Sequence, residues 1–526
     1  MLKILPLLTL LSLTVTNAQA PSILWQQALN GSQEDQGNSV AQTLDGGFIG
    51  VGTSSSTNGG FSTNHGGYDA AVIKYDADGE IVWQKMFGGT GYDILHNVAA
   101  TADGGCVAIG STTSNNGDIS GNHGSSDVWI LKLDALGGIQ WQRVMGSTSS
   151  DQGCTIRQTP DGKYLVGAFL GGLNGDSPVS SGFPMNAWVL RLNSAGQTIW
   201  QQIAPNNIFN PTQGTRVVHS PDGGCLMVYT NSSPNGIQEG STTVYYTDIR
   251  AIKYSASGAQ EWARWYGGSY GEEAGSVQST ADGGYIITGR SMSNDGDVTG
   301  HHGTPTTSGS GNDDIWVLKV SASGDIQWQK SLGGDFNDNA ADGRQTADGG
   351  YVIVGTTASY NGDVIGNHGN WTSGMADFWI VKLNPIGSIQ WSRCIGGTGA
   401  EVAMELDLTT DQGFAIMGRS TSNNGDCTAA YGLNDMWLVK LGPETLDVNG
   451  SKTPDFALYP NPAFDSFSIQ AREPILELLI YDLAGKCIQS FMQPSPNINV
   501  SGLTAGMYIV KIRTAHGISN ASLLKQ

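Results

Sequence analysis

Charge is what this 526-residue chain has least of: Asp, Glu, Lys and Arg together make up only 14% of it. Basic residues are the scarcer sign, 26 Lys and Arg against 46 Asp and Glu, for a formal net charge of −20. Such a chain repels phosphate backbones, which excludes nucleic acid as a natural partner. Scarce Lys and Glu also exclude coiled coils and long helical bundles. Proline is held to 18 residues and glycine shows no three-residue period, so the chain is not collagen-like. Cysteine is limited to Cys106, Cys154, Cys225, Cys394, Cys427 and Cys487. Their spacing is neither C-x-x-C nor that of a dense disulfide scaffold, so small buried hydrophobes are expected, with a disulfide as the alternative. Beyond the N-terminus no apolar run reaches roughly 18 residues, so no transmembrane helix is expected. A Ser-His-Asp elbow, a Walker loop and an H-E-x-x-H motif are all missing. What the chain does have is 74 Gly, 14 Trp and 39% hydrophobic residues. That mixture excludes disorder and points to a large, turn-rich all-β protein.

The N-terminus reads as a secretory signal peptide over residues 1–20. Lys3 supplies the positive charge, Leu5 to Val15 the apolar stretch, and Ala18-Gln19-Ala20 the small-x-small cleavage site.

Self-comparison then shows a repeat. A tryptophan recurs at Trp25, Trp83, Trp141, Trp200, Trp262, Trp328 and Trp391, at intervals of 58, 58, 59, 62, 66 and 63 residues. A turn recurs in step, at Asp45-Gly46-Gly47, Asp103-Gly104-Gly105, Asp161-Gly162-Lys163, Asp222-Gly223-Gly224, Asp282-Gly283-Gly284, Asp348-Gly349-Gly350 and Asp411-Gln412-Gly413. A basic residue inside an apolar run recurs as well: Lys74, Lys132, Arg191, Lys253, Lys319, Lys382 and Lys440. Each unit predicts four short strands, A to D. In the second unit these are about Asn97–Thr101, Cys106–Ser111, Asp127–Leu133 and Ile139–Met145. Four strands per repeat is the pattern of a β-propeller blade.

The chain begins with a lone D strand, Ile23 to Asn30, and the repeats end with A, B and C only, at Leu441. These partial units predict a seven-bladed β-propeller over 21–441, its last blade completed by the N-terminal strand so that no sheet edge is left open. An open β-solenoid is the competing architecture, but it has no need of matched partial ends. The stretches Gln158–Gly167 and Trp188–Gly196 resemble the sixty-residue propeller repeats of bacterial surface proteins. The hairpin Tyr75–Trp83 is similar to repeats of quinoprotein-type propellers, and the Asp-box of sialidases is a weaker match, out of register by one. None of these resemblances brings a ligand site with it.

Residues 442–454 read as a linker, and 455–526 as a compact β-sandwich with its own alternation. This segment resembles the type A sorting domain of the type IX secretion system of Bacteroidota. The match is carried by Tyr459-Pro460-Asn461-Pro462, by Ile480 to Lys486, by Leu503-Thr504-Ala505-Gly506-Met507-Tyr508 and by Leu524-Lys525. The resemblance implies a protein exported through the periplasm, handled by the type IX machinery and its sortase, and then released or anchored at the outer-membrane surface.

Propeller geometry puts the long B-to-C and D-to-A loops on one face, where function is expected. Four B-to-C loops share an Asn/Asp-Gly-Asp and His-Gly pattern. There Asp118 and Asp127, with Asp363 and Asp377 in the sixth unit, are candidate calcium ligands, because Ca²⁺ takes six to eight oxygens. The competing reading is that these residues stabilise their own turns, with His packed over the loop. Tyr92, Tyr270 and Phe336 in D-to-A loops and Trp371 in a B-to-C loop are candidates to stack on a sugar or protein ligand; ordinary loop packing is the alternative. The acids Asp93, Asp151, Glu272, Asp338 and Glu401 recur once per repeat, as a shared turn would place them; a glycosidase pair would break that symmetry. The expected function is therefore a secreted or surface-anchored propeller that binds a glycan or protein through its long-loop face. A polysaccharide-degrading enzyme and a purely structural surface protein are the alternatives.

Overall fold

The computed structural model describes residues 18–526 except 30, 62–63, 179–185, 206–213, 234–236, 240–241, 245, 304–311, 370–374, 428–432, 447–455, 472–473, 483–486, 493, 496 and 515–516. Most of the expected signal peptide and the candidate Trp371 lie outside the described residues. The chain forms two compact units, Ala18–Thr445 and one that contains Leu446–Gln526. Among the described residues every regular element is a strand.

In the first unit the repeats become seven four-stranded antiparallel sheets among the described residues. The second sheet is representative: A is Asp93–Ala100, B Cys106–Thr112, C Asp127–Leu133 and D Ile139–Met145. Strand C is buried along its whole length, which is why it reads as a continuous apolar run. Strand A starts four residues earlier than its sequence pattern indicates. A β-bulge between Leu95 and Asn97 breaks the alternation that marks a strand, and the same irregularity occurs at Gly37/Ser39, Gly153/Thr155, Ala274/Ser276, Ala340/Asp342 and Ala403/Glu405.

Ile23–Leu29 pairs with Asp435–Leu441 and so becomes the fourth strand of the last sheet. Trp437 Nε1 donates to Gln26 Oε1 at 2.9 Å, the bond that Trp129 makes to Gln142 and Trp316 to Gln329 inside their own repeats. Each A strand contacts the next, from Asp35–Gln42 through Asp93–Ala100, Gln152–Gln158, Arg216–His219, Glu272–Ser279 and Asp338–Gln345 to Glu401–Leu408, which contacts Asp35–Gln42 again. The hydrophobic core lies between neighbouring sheets: Ile49, Val51 and Val72 of the first pack with Val98, Trp129 and Leu131 of the second.

Two repeated devices hold this unit together. The buried cation of strand C reaches back to the aspartate of the A-to-B turn, as in Lys132 Nζ to Asp103 (2.8 Å), Arg191 to Asp161 (2.9 Å) and Lys382 to Asp348 (2.7 Å). It satisfies a charge that would be costly to bury alone. The tryptophan of strand D packs on the C-to-D turn of the next sheet, its Nε1 donating to that turn's carbonyl: Trp25 to Ala77, Trp83 to Ala135 and Trp262 to Ala322. A Cβ on Gly79 of that turn would stand 2.7 Å from the Trp25 ring, and Gly79 has φ +88°, so only glycine satisfies both demands.

In the second unit, Phe456–Tyr459, Ser466–Ala471 and Asn497–Asn499 form one sheet, and Cys487–Met492, Glu477–Tyr481, Gly506–Thr514 and Gly517–Lys525 another. Phe467, Leu478, Ile480, Val510 and Leu523 share their common core. The distant motifs meet here, with Leu524 N donating to Asn461 Oδ1 (2.8 Å) and Ala463 N to Leu524 O (2.8 Å). Cys106, Cys154, Cys225, Cys394 and Cys427 are buried thiols in no disulfide.

Candidate functional site

The loop acids have structural partners. Asp93 opens strand A of the second sheet and accepts from Gly89 N (2.7 Å) and Ser114 Oγ (2.7 Å). Asp338 does the same with Gly334 N and Ser359 Oγ (2.8 Å each), and Glu401 with Gly397 N and Ser420 Oγ (2.8 Å each). Each ties a D-to-A turn to the end of strand B or the start of the loop that follows it. The loop histidines likewise bind the aspartate that opens strand C. His123 gives Asp127 Oδ2 both its backbone N (2.8 Å) and its ring Nδ1 (2.7 Å), and His65–Asp69, His302–Asp314 and His368–Asp377 repeat the arrangement.

Asp118 and Asp127 sit at different junctions. Asp118 Oδ2 accepts from Gly88 N (3.1 Å), and a Cβ on Gly88 would stand 2.5 Å from Asp69 Oδ1 and 2.9 Å from Asp93 Oδ2. Asp127 Oδ1 instead faces Gly146, together with Asp151. Asp363 N donates to Gly333 O (2.8 Å) beside Asp314 and Asp338, whereas Asp377 lies with Glu401 at Gly396. At five junctions the Oδ1 of the strand-C aspartate (Asp69, Asp127, Asp248, Asp314, Asp377) is buried without a hydrogen-bond partner among the described residues. Burial, with the neighbouring acid adding to it, pushes Asp151 up to about 6 and Asp338 up to about 7. Among the described residues no group of three or more His, Cys, Asp or Glu is placed to hold a metal ion.

The aromatic candidates occupy comparable places on different sheets. Tyr92 is 57% exposed and stacks on Tyr68 at 5.7 Å between ring centroids; Phe336 is 42% exposed. Tyr270 meets Tyr246 edge-on at 5.8 Å. No ring contact joins the three among the described residues.

The feature that the loops did not reveal is a cavity of about 290 Å³ lined by the A strands of all seven sheets. The residue six before the aspartate of each A-to-B turn lies at one repeated position: Ser39, Asn97, Thr155, Ser276, Asp342 and Glu405, each the first paired residue after its bulge, and Arg216, which opens its strand. Sheet packing alone would repeat one residue type there; the chain instead carries two acids, an arginine and four neutral polar residues. Arg157 Nη2 pairs with Glu405 Oε1 (2.9 Å), whose Oε2 accepts from Asn97 Nδ2 (2.8 Å). Arg344 pairs with Asp342 (2.9 Å) and reaches Glu405 (3.4 Å). Burial raises the Glu405 carboxyl, and Arg157 and Arg344 oppose that rise. His96 takes a hydrogen bond from Gln152 Nε2 (2.9 Å), and burial, aided by the charge of Arg216, pushes it down to about 4, so it is neutral near pH 7. Both acids that line the cavity, Asp342 and Glu405, are bound to arginine, and the cavity offers hydrogen bonds and charge to a ligand. Counting residues back from each Asp-Gly turn would have exposed the broken symmetry in the sequence itself.

Residues 457–526 match the family model described as a secretion system C-terminal sorting domain. No curated protein matches the chain. Among solved structures it is similar to a protein of unknown function from Bacteroides caccae (14% identity, 65% of this chain and 93% of that one, TM-score 0.34). It is also similar to puromycin hydrolase (12%, 94% and 62%, TM-score 0.44) and to a gluconolactonase from Xanthomonas campestris (11%, 81% and 96%, TM-score 0.33). The chain thus spans 62% of the puromycin hydrolase. Residues 457–526, with their motifs brought together at Asn461 and Leu524, are a type IX sorting domain, and the protein is exported by that system to the cell surface or the extracellular space.

Proposed function

We propose that this is a type IX-exported, seven-bladed β-propeller that binds an extracellular glycan at the face bearing the B-to-C and D-to-A loops. Three features support the propeller reading: the paired terminal strands, the succession of A-strand contacts that returns to the first, and the cavity they share. The observation that carries the binding reading is exposure. The five strand-C tryptophans are fully buried, whereas Tyr92 and Phe336 stand out on the loop face. Exposed aromatic rings are what a sugar face stacks against. The sortase is the expected processing partner, trimming the sorting domain after export.

A glycan array on the full chain, run beside a hydrolysis screen on the same polysaccharides, tests this. Binding without turnover that is weakened in Tyr92→Ala and Trp371→Ala is the expected result. Turnover abolished by one acid substitution makes the protein a polysaccharide hydrolase instead. Binding to neither identifies a structural surface protein.

A further inference from the structure

We propose that the cavity between the A strands is a binding site for a sugar acid, whose carboxylate is taken by Arg216. This site is distinct from the loop face proposed above, and the inference does not depend on that reading. Arg216 lines the cavity at the position where the other repeats carry Ser, Asn, Thr, Asp or Glu. Its guanidinium is aimed by two backbone carbonyls, Nε donating to Gly275 O (2.7 Å) and Nη1 to Cys154 O (3.3 Å). Arg157, which also lines the cavity, is committed to Glu405, and nearby Arg344 to Asp342. Arg216 has no carboxylate partner among the described residues, and the sequence 206–213 that precedes its strand contains no acid.

An arginine fixed by backbone, with no counter-charge among the described residues, presents its remaining N–H groups as a fork that matches a carboxylate. Around it the cavity supplies hydroxyl partners. The side-chain amides of Gln36 and Gln278 line it and make no hydrogen bond among the described residues. A cavity of about 290 Å³ lies at the small end of ligand pockets, the size of a single sugar ring rather than a chain. Hydroxyls on the amides and a carboxylate on Arg216 describe a uronic acid, free or at the end of a glycan.

Calorimetric titration of the full chain with glucuronate, glucose and succinate tests the assignment. Glucuronate is expected to bind at least about tenfold more tightly than glucose, which lacks the carboxylate, and than succinate, which lacks the ring hydroxyls. Arg216→Gln is expected to remove that preference while melting as the parent protein does. Equal affinity for glucuronate and glucose overturns the proposal on the parent protein alone, whatever the variant does. Equal affinity for glucuronate and succinate overturns the sugar part, and unchanged glucuronate binding in a folded Arg216→Gln overturns the role of Arg216. Array binding that depends on Tyr92 but not on Arg216 leaves the loop-face reading standing and removes this one.

Discussion

Acidifying the protein from about pH 8 to about pH 5 should raise its melting temperature, opposite to the behaviour of a protein held by exposed ion pairs. The reason lies in the sheet junctions, where burial is the largest cause of every shift. It pushes Asp35, Asp151, Asp248 and Asp377 up to about 6, and Glu272 and Asp338 up to about 7. In the unfolded chain these groups titrate near 4. Between about pH 4 and pH 7 the folded state therefore binds more protons, and its stability falls as the pH rises through that window. A carboxyl moved from near 4 to about 6 contributes roughly 1 kcal/mol at pH 5 relative to pH 8, and one moved to about 7 roughly 2–3 kcal/mol. The acids of neighbouring junctions interact, so the full sum is not expected; a net gain of a few kcal/mol is. Buried His96, pushed down to about 4, opposes this with one group's contribution. Below about pH 4 the turn acids reverse the trend. Hydrogen bonds from Thr43 and Lys74, acting against burial, hold Asp45 down to about 2, and Asp103 and Asp282 are held there by Lys132 and Lys319 with their neighbouring threonines. Melting followed by circular dichroism across this range should show a maximum near pH 4 to 5, and Asp338→Asn should flatten the rise. A melting temperature that is level or falling between pH 8 and pH 5 would refute the account of the junctions.

Gly88→Ala should cost about 1–3 kcal/mol in chemical denaturation, because its Cβ would press on Asp69 and Asp93, whereas Ser501→Ala, at an exposed turn of the second unit, should cost far less. Lys132→Met should cost about 1–2 kcal/mol, chiefly by leaving the Leu133 carbonyl short of a donor, and the loss should be smaller at acid pH where Asp103 is protonated. EDTA should leave the pH–melting curve unchanged; a fall at pH 8 that added Ca²⁺ restores would assign calcium to the junction acids. Replacing Asn461 with Ala removes the acceptor for Leu524 N, and should lower export of the chain, read as protein retained in the periplasm by fractionation.

Strands B, C and D were legible because their ends are marked by chemistry. Asp-Gly turns and the tryptophan spacing bounded Asp127–Leu133 and Ile139–Met145, and the structure returns the same limits. Strand A was not, because its bulge interrupts the alternation and lets Asn97 and its counterparts share one cavity wall. The loop carboxylates were legible as a pattern but not as a geometry. Asp118 and Asp127 are close in sequence, yet one closes the junction at Gly88 and the other the junction at Gly146, since each junction joins loops from successive repeats.

By itself the amino-acid order determined the local structure, the number of repeats and the export tag, all of which depend on neighbours a few residues apart: glycine turns, alternation and short motifs. Only the tertiary structure decided which residues meet across repeats. Trp437 finds Gln26, Arg157 finds Glu405, and Arg216 finds the backbone carbonyls of Gly275 and Cys154. Those contacts join positions tens to hundreds of residues apart, and they are set by how one sheet packs on the next, which no local pattern encodes.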